Sequence, residues 1–301
     1  MEITEHLKNK AVAPDLLAVI SAICESCRRI SRMIQSKNIC GKAGTQNIFG
    51  EEQLALDVAS DKLISEALKK TPEVAVYASE ELEREMTANV SGVFGVAYDP
   101  LDGSSLVDVN FAVGSIFGIY KGNTFIGRKG SEQECVLIAV YGPRTTIVCA
   151  LKSDGVNEYT LCDEKFLLSK ENLKIAPEGK IFAPGNLRAC LYHPGYKKLL
   201  DYWLDQQYTL RYSGGMVPDI NHILLKGKGI FTYPAYKDMP EGKLRLLYEC
   251  APMAFIVEEA GGRATDGKMR LLDKKIQELS KRTPILIGSE NEVKKAEELL
   301  R

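Results

Sequence analysis

The chain has 301 residues, 45% of them hydrophobic, which is enough for one large globular domain or two of ordinary size. Its 39 basic side chains nearly balance 40 acidic ones, so the formal net charge of −1 indicates neither a polybasic nucleic-acid surface nor an acidic tail. We therefore expect a small-molecule partner, with no nucleic acid and no membrane.

Cysteine usage and the N-terminal segment bear on the compartment. The eight cysteines show no disulfide-framework spacing, and several lie inside apolar runs such as "TTIVCAL", as is typical of reduced thiols in a core. The segment "MEITEHLKNK" is charged and lacks the hydrophobic stretch of a signal peptide. We expect a cytoplasmic protein, or a plastid protein if a transit peptide has been removed.

Two amphipathic helices are predicted in the first quarter of the chain. Apolar residues of the stretch 13–35 recur at three- and four-residue intervals after Asp15. A second helix is expected from about Glu51 to Lys69, and Pro72 marks its end.

Short apolar stretches with the composition of buried strands follow. These are "EVAVYA" and "GVFGVAY", and then "VGSIFGIYK", "CVLIAVYG" and "TTIVCAL", with glycine- and proline-containing turns between them. This half of the chain is therefore predicted to be a sheet layered with helices.

From about residue 171 the predicted strands and helices alternate. The strands are "KIFAPG", "TLRYSGG", "GIFTYP" and "PILIGS", and the helices are "YKKLLDYWLDQ", "DINHILLKG", "KLRLLYECAPMAFIVEEAGG" and "ENEVKKAEELL". Alternation of this kind argues for a second α/β layer. No flexible linker marks a boundary near residue 170.

Acidic residues directly follow the first two short strands. Glu80 and Glu81 come after the first strand, and Asp99 and Asp102 come after the second. Neighbouring strands would bring these four carboxylates together, and such a cluster requires cations. Hard oxygen ligands suit Mg²⁺ or Mn²⁺, and the carbonyl oxygen of Leu101 offers a further ligand.

A small polar segment continues from Asp102 with Gly103, Ser104 and Ser105. If it begins a helix, its backbone N–H groups form a site for a phosphate group. Taken alone, the segment equally suits an ordinary Asx-turn with a helix cap. Beside four carboxylates it favours metal-assisted hydrolysis of a phosphate ester.

Longer motifs carry a resemblance to a known family. "ASEE", "AYDPLDGSS", "RYSGGMVPD" and "KLRLLYE" resemble the sugar-bisphosphatase branch of the metal-dependent, lithium-sensitive phosphatase superfamily, and the likeness runs from Asn38 onward. It implies an α/β fold with two sheets in a layered α/β/α/β/α arrangement. It also implies an N-terminal α+β domain for metal and phosphate (1–170), a C-terminal α/β domain for sugar (171–301), and Mg²⁺ or Mn²⁺ as cofactor.

The substrate implied by the resemblance depends on the segment compared. "DGSSLVDVNFAVGSIFG" and "APGNLRA" resemble the sedoheptulose-1,7-bisphosphatases, so hydrolysis of the 1-phosphate of sedoheptulose 1,7-bisphosphate is the preferred interpretation. "FTYPAYKDMPEGKLRLLYE", which contains Tyr233, resembles the fructose enzymes, so fructose-1,6-bisphosphatase activity or dual specificity is the alternative. An inositol-monophosphatase-type enzyme and a non-catalytic metabolite-binding protein are weaker alternatives.

The same resemblance assigns roles to individual positions. The implied metal ligands are Glu80, Glu81, Asp99, Leu101 through its carbonyl, Asp102 and Glu249. Asp57 and Glu81 resemble the pair that helps to remove a proton from the attacking water.

A second set of positions is implied to bind substrate. They are Asp102, Gly103, Ser104, Ser105, Asn186, Arg211, Tyr212, Gly214, Tyr233, Lys243 and Arg245. In the fructose enzymes the arginine that matches Arg211 comes from a neighbouring subunit, so the resemblance implies a homodimer or homotetramer.

Overall fold

The computed structural model describes residues 1–36, 42–46 and 52–301. Its longer helices lie where the apolar spacing predicts them. The α-helices within these ranges are α1 (Ile3–Asn9), α2 (Pro14–Gln35), α3 (Ala55–Lys69), α4 (Pro194–Asp205), α5 (Met216–Lys226), α6 (Ala251–Glu259) and α7 (Glu290–Leu300). Among the described residues, none of these helices combines the length and apolar composition that crossing a bilayer demands.

Two of the predicted helices were wrong in their extent. Residues 52–54 form a short strand, so the second predicted helix begins at Ala55, and its predicted start at Glu51 lies outside the described residues. The predicted continuous helix over 243–262 is a π-helical turn, Leu246–Cys250, followed by α6. Residues 243–245 are not helical, because the backbone of residues 244–246 pairs with that of residues 281–283.

The larger sheet is mostly antiparallel and contains the first group of predicted strands. It has the order β10-β9-β8-β7-β6-β5-β3-β4. Its strands are β3 (Val74–Ser79), β4 (Met86–Thr87), β5 (Phe94–Asp102), β6 (Val113–Lys121), β7 (Gln133–Tyr141), β8 (Thr145–Leu151), β9 (Gly155–Cys162) and β10 (Lys165–Lys170). The pair β3–β5 is parallel. The sequence analysis did not identify β9 and β10, whose polar residues interrupt the apolar runs.

The smaller sheet is mixed and has the order β12-β11-β13-β15-β14. Its strands are β11 (Ile181–Pro184), β12 (Thr209–Leu210), β13 (Ile230–Tyr233), β14 (Arg263–Thr265) and β15 (Ile285–Gly288). The predicted strand "TLRYSGG" is only two residues long here, and the rest of that segment leads into α5. A separate pair, β1 (Lys42–Gln46) and β2 (Glu52–Leu54), is antiparallel.

Three apolar clusters give the molecule its layers. The outer face of the large sheet packs against α1, α2 and α3, and the inner face packs against α5 and α6, which also contact the small sheet. On β5, Val96 and Tyr98 belong to the outer cluster and Ala97 to the inner one, as strand alternation requires. The helices α4 and α7 cover the far face of the small sheet. The predicted two-sheet α/β/α/β/α architecture is therefore confirmed, whereas the domain boundary near residue 170 stays a prediction.

Candidate active site

A cavity of about 430 Å³ is lined by residues from both halves of the chain. It is lined by Asp57, Glu80, Asp99, Leu101, Asp102, Gly103, Ser104, Ser105, Tyr212, Gly214, Met216, Phe231, Tyr233, Lys243, Leu244, Arg245, Glu249 and Arg282. Apart from Met216, Phe231, Leu244 and Arg282, the sequence analysis had named all of them as candidate site residues.

Parallel strand pairing explains why acids from separate segments meet here. Ser79 at the end of β3 lies opposite Tyr98 of β5, and the N–H of Glu80 donates to the carbonyl of Tyr98 at 3.1 Å. The C-terminal ends of both strands lie at the same edge of the sheet, so Glu80, directly after β3, and Asp99, near the end of β5, line one cavity. The structure brings these two carboxylates to one cavity, although β5 extends through Asp99 and Asp102 instead of ending before them, and their role as metal ligands stays a prediction.

Three buried carboxylates form the acidic end of the cavity. Oxygen atoms of Asp99, Asp102 and Glu249 all lie within 4.8 Å of one another. Burial and the neighbouring charge of Asp102 hold the pKa of Asp99 well above its usual range. Burial and the charge of Glu249 raise the pKa of Asp102 to about 7, although the hydrogen bond from the N–H of Val217 acts to lower it. Burial also raises the pKa of Glu249.

Local hydrogen bonds hold the two aspartates in place. Asp99 Oδ1 accepts from the N–H of Leu101 at 2.9 Å, and Asp102 Oδ2 accepts from the N–H of Val217 at 2.7 Å. The register of β5 against β6 shifts between Asp99 and Asp102, as expected around Pro100, which has no N–H to donate to the sheet. The contact with Val217 ties the end of β5 to the first turn of α5.

Arg245 connects the acids of the two halves. Its side chain is 2% exposed, its guanidinium forms an ion pair with Glu80, and its backbone N–H donates to Glu249 Oε2 at 2.5 Å. The π-helical turn makes this geometry possible, because it begins directly after Arg245 and carries Glu249. Arg245 therefore has its observed partners at the acidic end, and its predicted contact with the distal phosphate stays a prediction.

The two residues predicted to activate water differ in their placement. Asp57, in the first turn of α3, is buried, lines the cavity and adds to the raised pKa of Asp99. Glu81 is half-buried, and its N–H donates to Ser79 Oγ at 3.2 Å. Within the described part of the chain, Glu81 is not one of the residues that line the cavity.

The segment from Gly103 to Ser105 lines the cavity beside the carboxylates. The predicted helix is a six-residue 3₁₀ helix, Ser104–Val109, so its dipole is small and its hydrogen-bond donors matter more. Gly103 adopts φ +76°, and a Cβ there would lie 3.4 Å from the Cα of Gly215. A Cβ at that distance makes ordinary van der Waals contact, so glycine suits this turn because of its left-handed backbone conformation.

Cationic and phenolic groups also line this cavity. Tyr212, Gly214, Tyr233 and Lys243 all contribute to its wall. Burial and the neighbouring Tyr233 raise the pKa of Tyr212 to about 12, so its hydroxyl remains a hydrogen-bond donor at neutral pH.

Within the residues that the structure describes, two predicted substrate residues do not line this cavity. Asn186 is half-buried, with φ +52°, at the start of a 3₁₀ helix over Leu187–Leu191. Arg211 is exposed, and its guanidinium donates to the carbonyl of Leu210 at 2.7 Å. Their substrate contacts stay predictions.

Arg282 is the charged cavity residue that the sequence analysis missed. Its guanidinium donates to the carbonyl of Lys243, and its backbone forms an antiparallel bridge with Arg245. The sequence "KRT" ahead of a strand contains no recognisable motif, so the sequence analysis had no signal for Arg282. The pairing of residues 243–246 with residues 281–283 places it at the site.

Comparisons with known proteins agree with this geometry. The family model "Fructose-1-6-bisphosphatase, N-terminal domain" matches residues 1–171, and "Fructose-1-6-bisphosphatase, C-terminal domain" matches residues 175–301. The chain belongs to the fructose-1,6-bisphosphatase family. As the motifs predicted, it is a sugar-bisphosphate phosphatase and hence a phosphoric monoester hydrolase.

Relatives within the fructose-1,6-bisphosphatase family carry two different substrate names. The chain is 45% identical over 303 residues to the "Fructose-1,6-bisphosphatase class 1" of Pelobacter propionicus, covering 100% of this chain and 93% of the relative. It is 44% identical over 300 residues to the chloroplastic sedoheptulose-1,7-bisphosphatase of Triticum aestivum, covering 98% and 76%. Bacterial relatives from several species also carry the fructose name, which favours the alternative over the sedoheptulose preference.

Solved structures of the fructose-1,6-bisphosphatase family support the same assignment. The holo form of the Leishmania major fructose-1,6-bisphosphatase superimposes with a TM-score of 0.94 at 33% identity, covering 99% of this chain and 98% of that one. Its apo form gives a TM-score of 0.88 at the same identity and coverage.

The acidic cluster fits the metal dependence of the fructose-1,6-bisphosphatase family. Its donors are carboxylate oxygens, which are hard ligands. Three carboxylates are buried within 4.8 Å of one another. Repulsion from Asp102 and Glu249 raises the pKa of Asp99, and repulsion from Glu249 raises that of Asp102, as expected of a site whose counter-charge is a bound cation. The residues present therefore suit a divalent metal.

Proposed function

We propose that the chain hydrolyses the 1-phosphate of fructose 1,6-bisphosphate and releases fructose 6-phosphate. One observation carries the proposal: a single cavity of about 430 Å³ is lined both by three buried carboxylates and by Lys243 with two tyrosines. A substrate with two phosphates matches these two kinds of lining residue, because one phosphate needs metal ions and the other needs cationic and phenolic donors.

Mg²⁺ is the proposed metal, and Mn²⁺ suits the same ligands. Glu80, Asp99, Asp102 and Glu249 would hold it, with the carbonyl of Leu101 and the carboxylate of Glu81 as further ligands. When bound, the metal polarises the phosphate ester and lowers the pKa of a coordinated water. The protein's own contribution is to keep these oxygens fixed, through the N–H groups of Leu101, Val217 and Arg245.

Asp57 and Glu81 are proposed to receive the proton of the attacking water. Asp57 is buried against the carboxylate cluster, where a proton shared between acids is favoured because it relieves repulsion. Ser104 and Ser105, with the N–H groups of Gly103 and of these serines, are proposed to bind the 1-phosphate. Their position directly after Asp102 supports this role.

The remaining predicted residues are proposed to bind the sugar and the distal phosphate. Tyr212, Tyr233 and Lys243 are proposed to bind the 6-phosphate, and Gly214 to lie beside the sugar. Asn186, Arg211 and Arg245 keep their predicted substrate roles as part of the proposal. For Arg211, which is exposed here, the role requires a neighbouring subunit and hence a homodimer or homotetramer.

Sedoheptulose 1,7-bisphosphate is the second candidate substrate, because identity to the wheat sedoheptulose enzyme is 44%, close to the 45% of the bacterial fructose enzyme. Phosphate release from both sugars, each titrated with Mg²⁺, distinguishes the two. We expect kcat/KM for fructose 1,6-bisphosphate to equal or exceed that for the sedoheptulose ester. A preference of more than about tenfold for the sedoheptulose ester would contradict this assignment.

Replacing Lys243 by methionine is expected to raise KM for fructose 1,6-bisphosphate about tenfold or more, because a charge-assisted hydrogen bond to phosphate contributes about 1.5–3 kcal/mol. A smaller change in kcat is expected, since the contact lies away from the reacting phosphate. Steady-state kinetics measure both constants. Lys237→Met, in the neighbouring loop but outside the cavity lining, is the matched control, and an equal KM increase there would contradict the assignment.

A further inference from the structure

The backbone of Gly185 packs tightly against the ring of Tyr233, which lines the active-site cavity. Gly185 is buried, directly follows β11, and has a φ outside the left-handed region, so any L-residue could adopt its backbone conformation. A Cβ added to this residue would overlap Cδ2 of Tyr233 and lie 2.9 Å from Cε2. Glycine is therefore needed here for the space that it leaves to the ring.

Hydrogen bonds on both sides hold the backbone of Gly185 in place. Its N–H donates to the carbonyl of Thr232 at 2.8 Å, and its carbonyl accepts from the hydroxyl of Tyr196 at 2.8 Å. Tyr196 and Thr232 are fully buried, and the Tyr196 hydroxyl lies 3.0 Å from Thr232 Oγ1. A larger side chain at residue 185 would therefore displace the Tyr233 ring before it displaced this backbone.

The active-site cavity is the space into which the Tyr233 ring can move. Tyr233 is the last residue of β13, and its backbone pairs with Ile285 of β15, so the movement is confined to the side chain. Tyr233 is half-buried and lines the cavity together with Tyr212 and Lys243. Displacement of the ring by a side chain at residue 185 would narrow the cavity at the residues proposed to bind the distal phosphate.

The two candidate substrates differ in the length of cavity that they need. Sedoheptulose 1,7-bisphosphate has one carbon atom more than fructose 1,6-bisphosphate between its two phosphates. If the carboxylate cluster fixes one phosphate, the position of the Tyr233 ring sets the room for the other. A change of one methylene group in a pocket is sufficient for discrimination by a factor of about 10 or more.

We propose that Gly185 is a specificity-determining residue, which leaves the Tyr233 ring against its own backbone and so keeps the cavity long enough for a seven-carbon as well as a six-carbon sugar. This inference rests on the proposed function, because it takes Tyr233 as part of the site for the distal phosphate.

The substitution Gly185→Ala tests the proposal. In Mg²⁺, kcat/KM for sedoheptulose 1,7-bisphosphate is expected to fall about tenfold more than kcat/KM for fructose 1,6-bisphosphate. Calorimetric titration with the products, sedoheptulose 7-phosphate and fructose 6-phosphate, is expected to show the same order of losses without any turnover. Tyr233→Trp enlarges the same side chain without a change at residue 185, so it tests the length of the cavity even if Gly185→Ala impairs folding, and the same direction of change is expected.

Two further variants separate the contact with Tyr233 from a general effect of the added methyl group. In a Tyr233→Ala background the ring is absent, so addition of Gly185→Ala is expected to change the preference between the two sugars less than about twofold. Gly95→Ala is the matched control, because it places a Cβ 3.0 Å from the ring of the buried Phe125. In the described part of the chain neither Gly95 nor Phe125 lines the cavity, and an unchanged preference is expected.

Two results would overturn the proposal. One is an equal loss for the two sugars in Gly185→Ala and Tyr233→Trp, and the other is a full effect of Gly185→Ala in the absence of the Tyr233 ring. Failure of the wild type to release phosphate from either sugar would instead contradict the proposed function, and the product titrations distinguish the two failures.

Discussion

Asp102→Asn is expected to lower phosphate release from fructose 1,6-bisphosphate by about three orders of magnitude. The substitution removes one negative charge from the buried cluster without changing side-chain size, and Asn Oδ1 still accepts from the N–H of Val217. Loss of several kcal/mol of electrostatic stabilisation at a metal-dependent site corresponds to a factor of this size. A coupled phosphate-release assay in saturating Mg²⁺ measures it.

Stability of the metal-free protein shows whether Asp102→Asn remains folded. The folded pKa of Asp102, about 7, exceeds the unfolded value of about 4, so ionisation costs the wild type stability as pH rises from about 4 to about 7. Asparagine does not titrate. At pH 8 without metal, the variant is expected to unfold at a higher temperature than the wild type, and Mg²⁺ is expected to stabilise it less.

Asp108→Asn provides the matched control for this prediction. Asp108 is an exposed residue on the neighbouring 3₁₀ helix, and the change removes the same charge six residues away. We expect near wild-type phosphate release and an unchanged response to Mg²⁺. Equal activities of Asp102→Asn and the wild type would rule out the assigned role of the carboxylate cluster.

Local sequence signals predicted the parts of the site that depend on a few neighbouring residues. The acids at the C-terminal ends of β3 and β5 were identified because each strand contains a short apolar run, and their meeting followed from the expectation that neighbouring strands end together. The same signals predicted the extent of β6, β8 and α7 without error. Periodicity and strand ends are properties of the local chain, so one sequence is sufficient to reveal them.

Local sequence patterns did not predict the contacts between distant segments of the chain. The resemblance named Glu249, but no spacing indicated that a π-helical turn would place it beside Asp99 and Asp102. Arg282 was missed because its position depends on backbone pairing with Arg245 across 37 residues of chain. Pairing at that separation depends on how distant segments of the chain pack together, which periodicity does not encode.

The ion pair between Arg245 and Glu80 is another such contact, and it predicts a large effect on stability. Arg245→Met is expected to lower the free energy of unfolding by about 3–5 kcal/mol, because breaking a buried pair leaves an uncompensated charge. The guanidinium is almost fully buried, and the remaining Glu80 would face three other acids of the same cavity. Phosphate release is expected to fall as well, since Glu80 and Glu249 both depend on Arg245 for their positions.

Arg28→Met is the matched control, because Arg28 also pairs with two glutamates but does so on the surface of α2. Its partners, Glu25 and Glu164, are about half exposed and remain hydrated when the arginine is removed, so a loss below about 1 kcal/mol is expected. Urea unfolding of both variants, in metal-free buffer and again in Mg²⁺, measures the difference. Equal losses would mean that Arg245 does not hold the acids of the two halves together, because the contrast between the variants depends on burial of the charge alone.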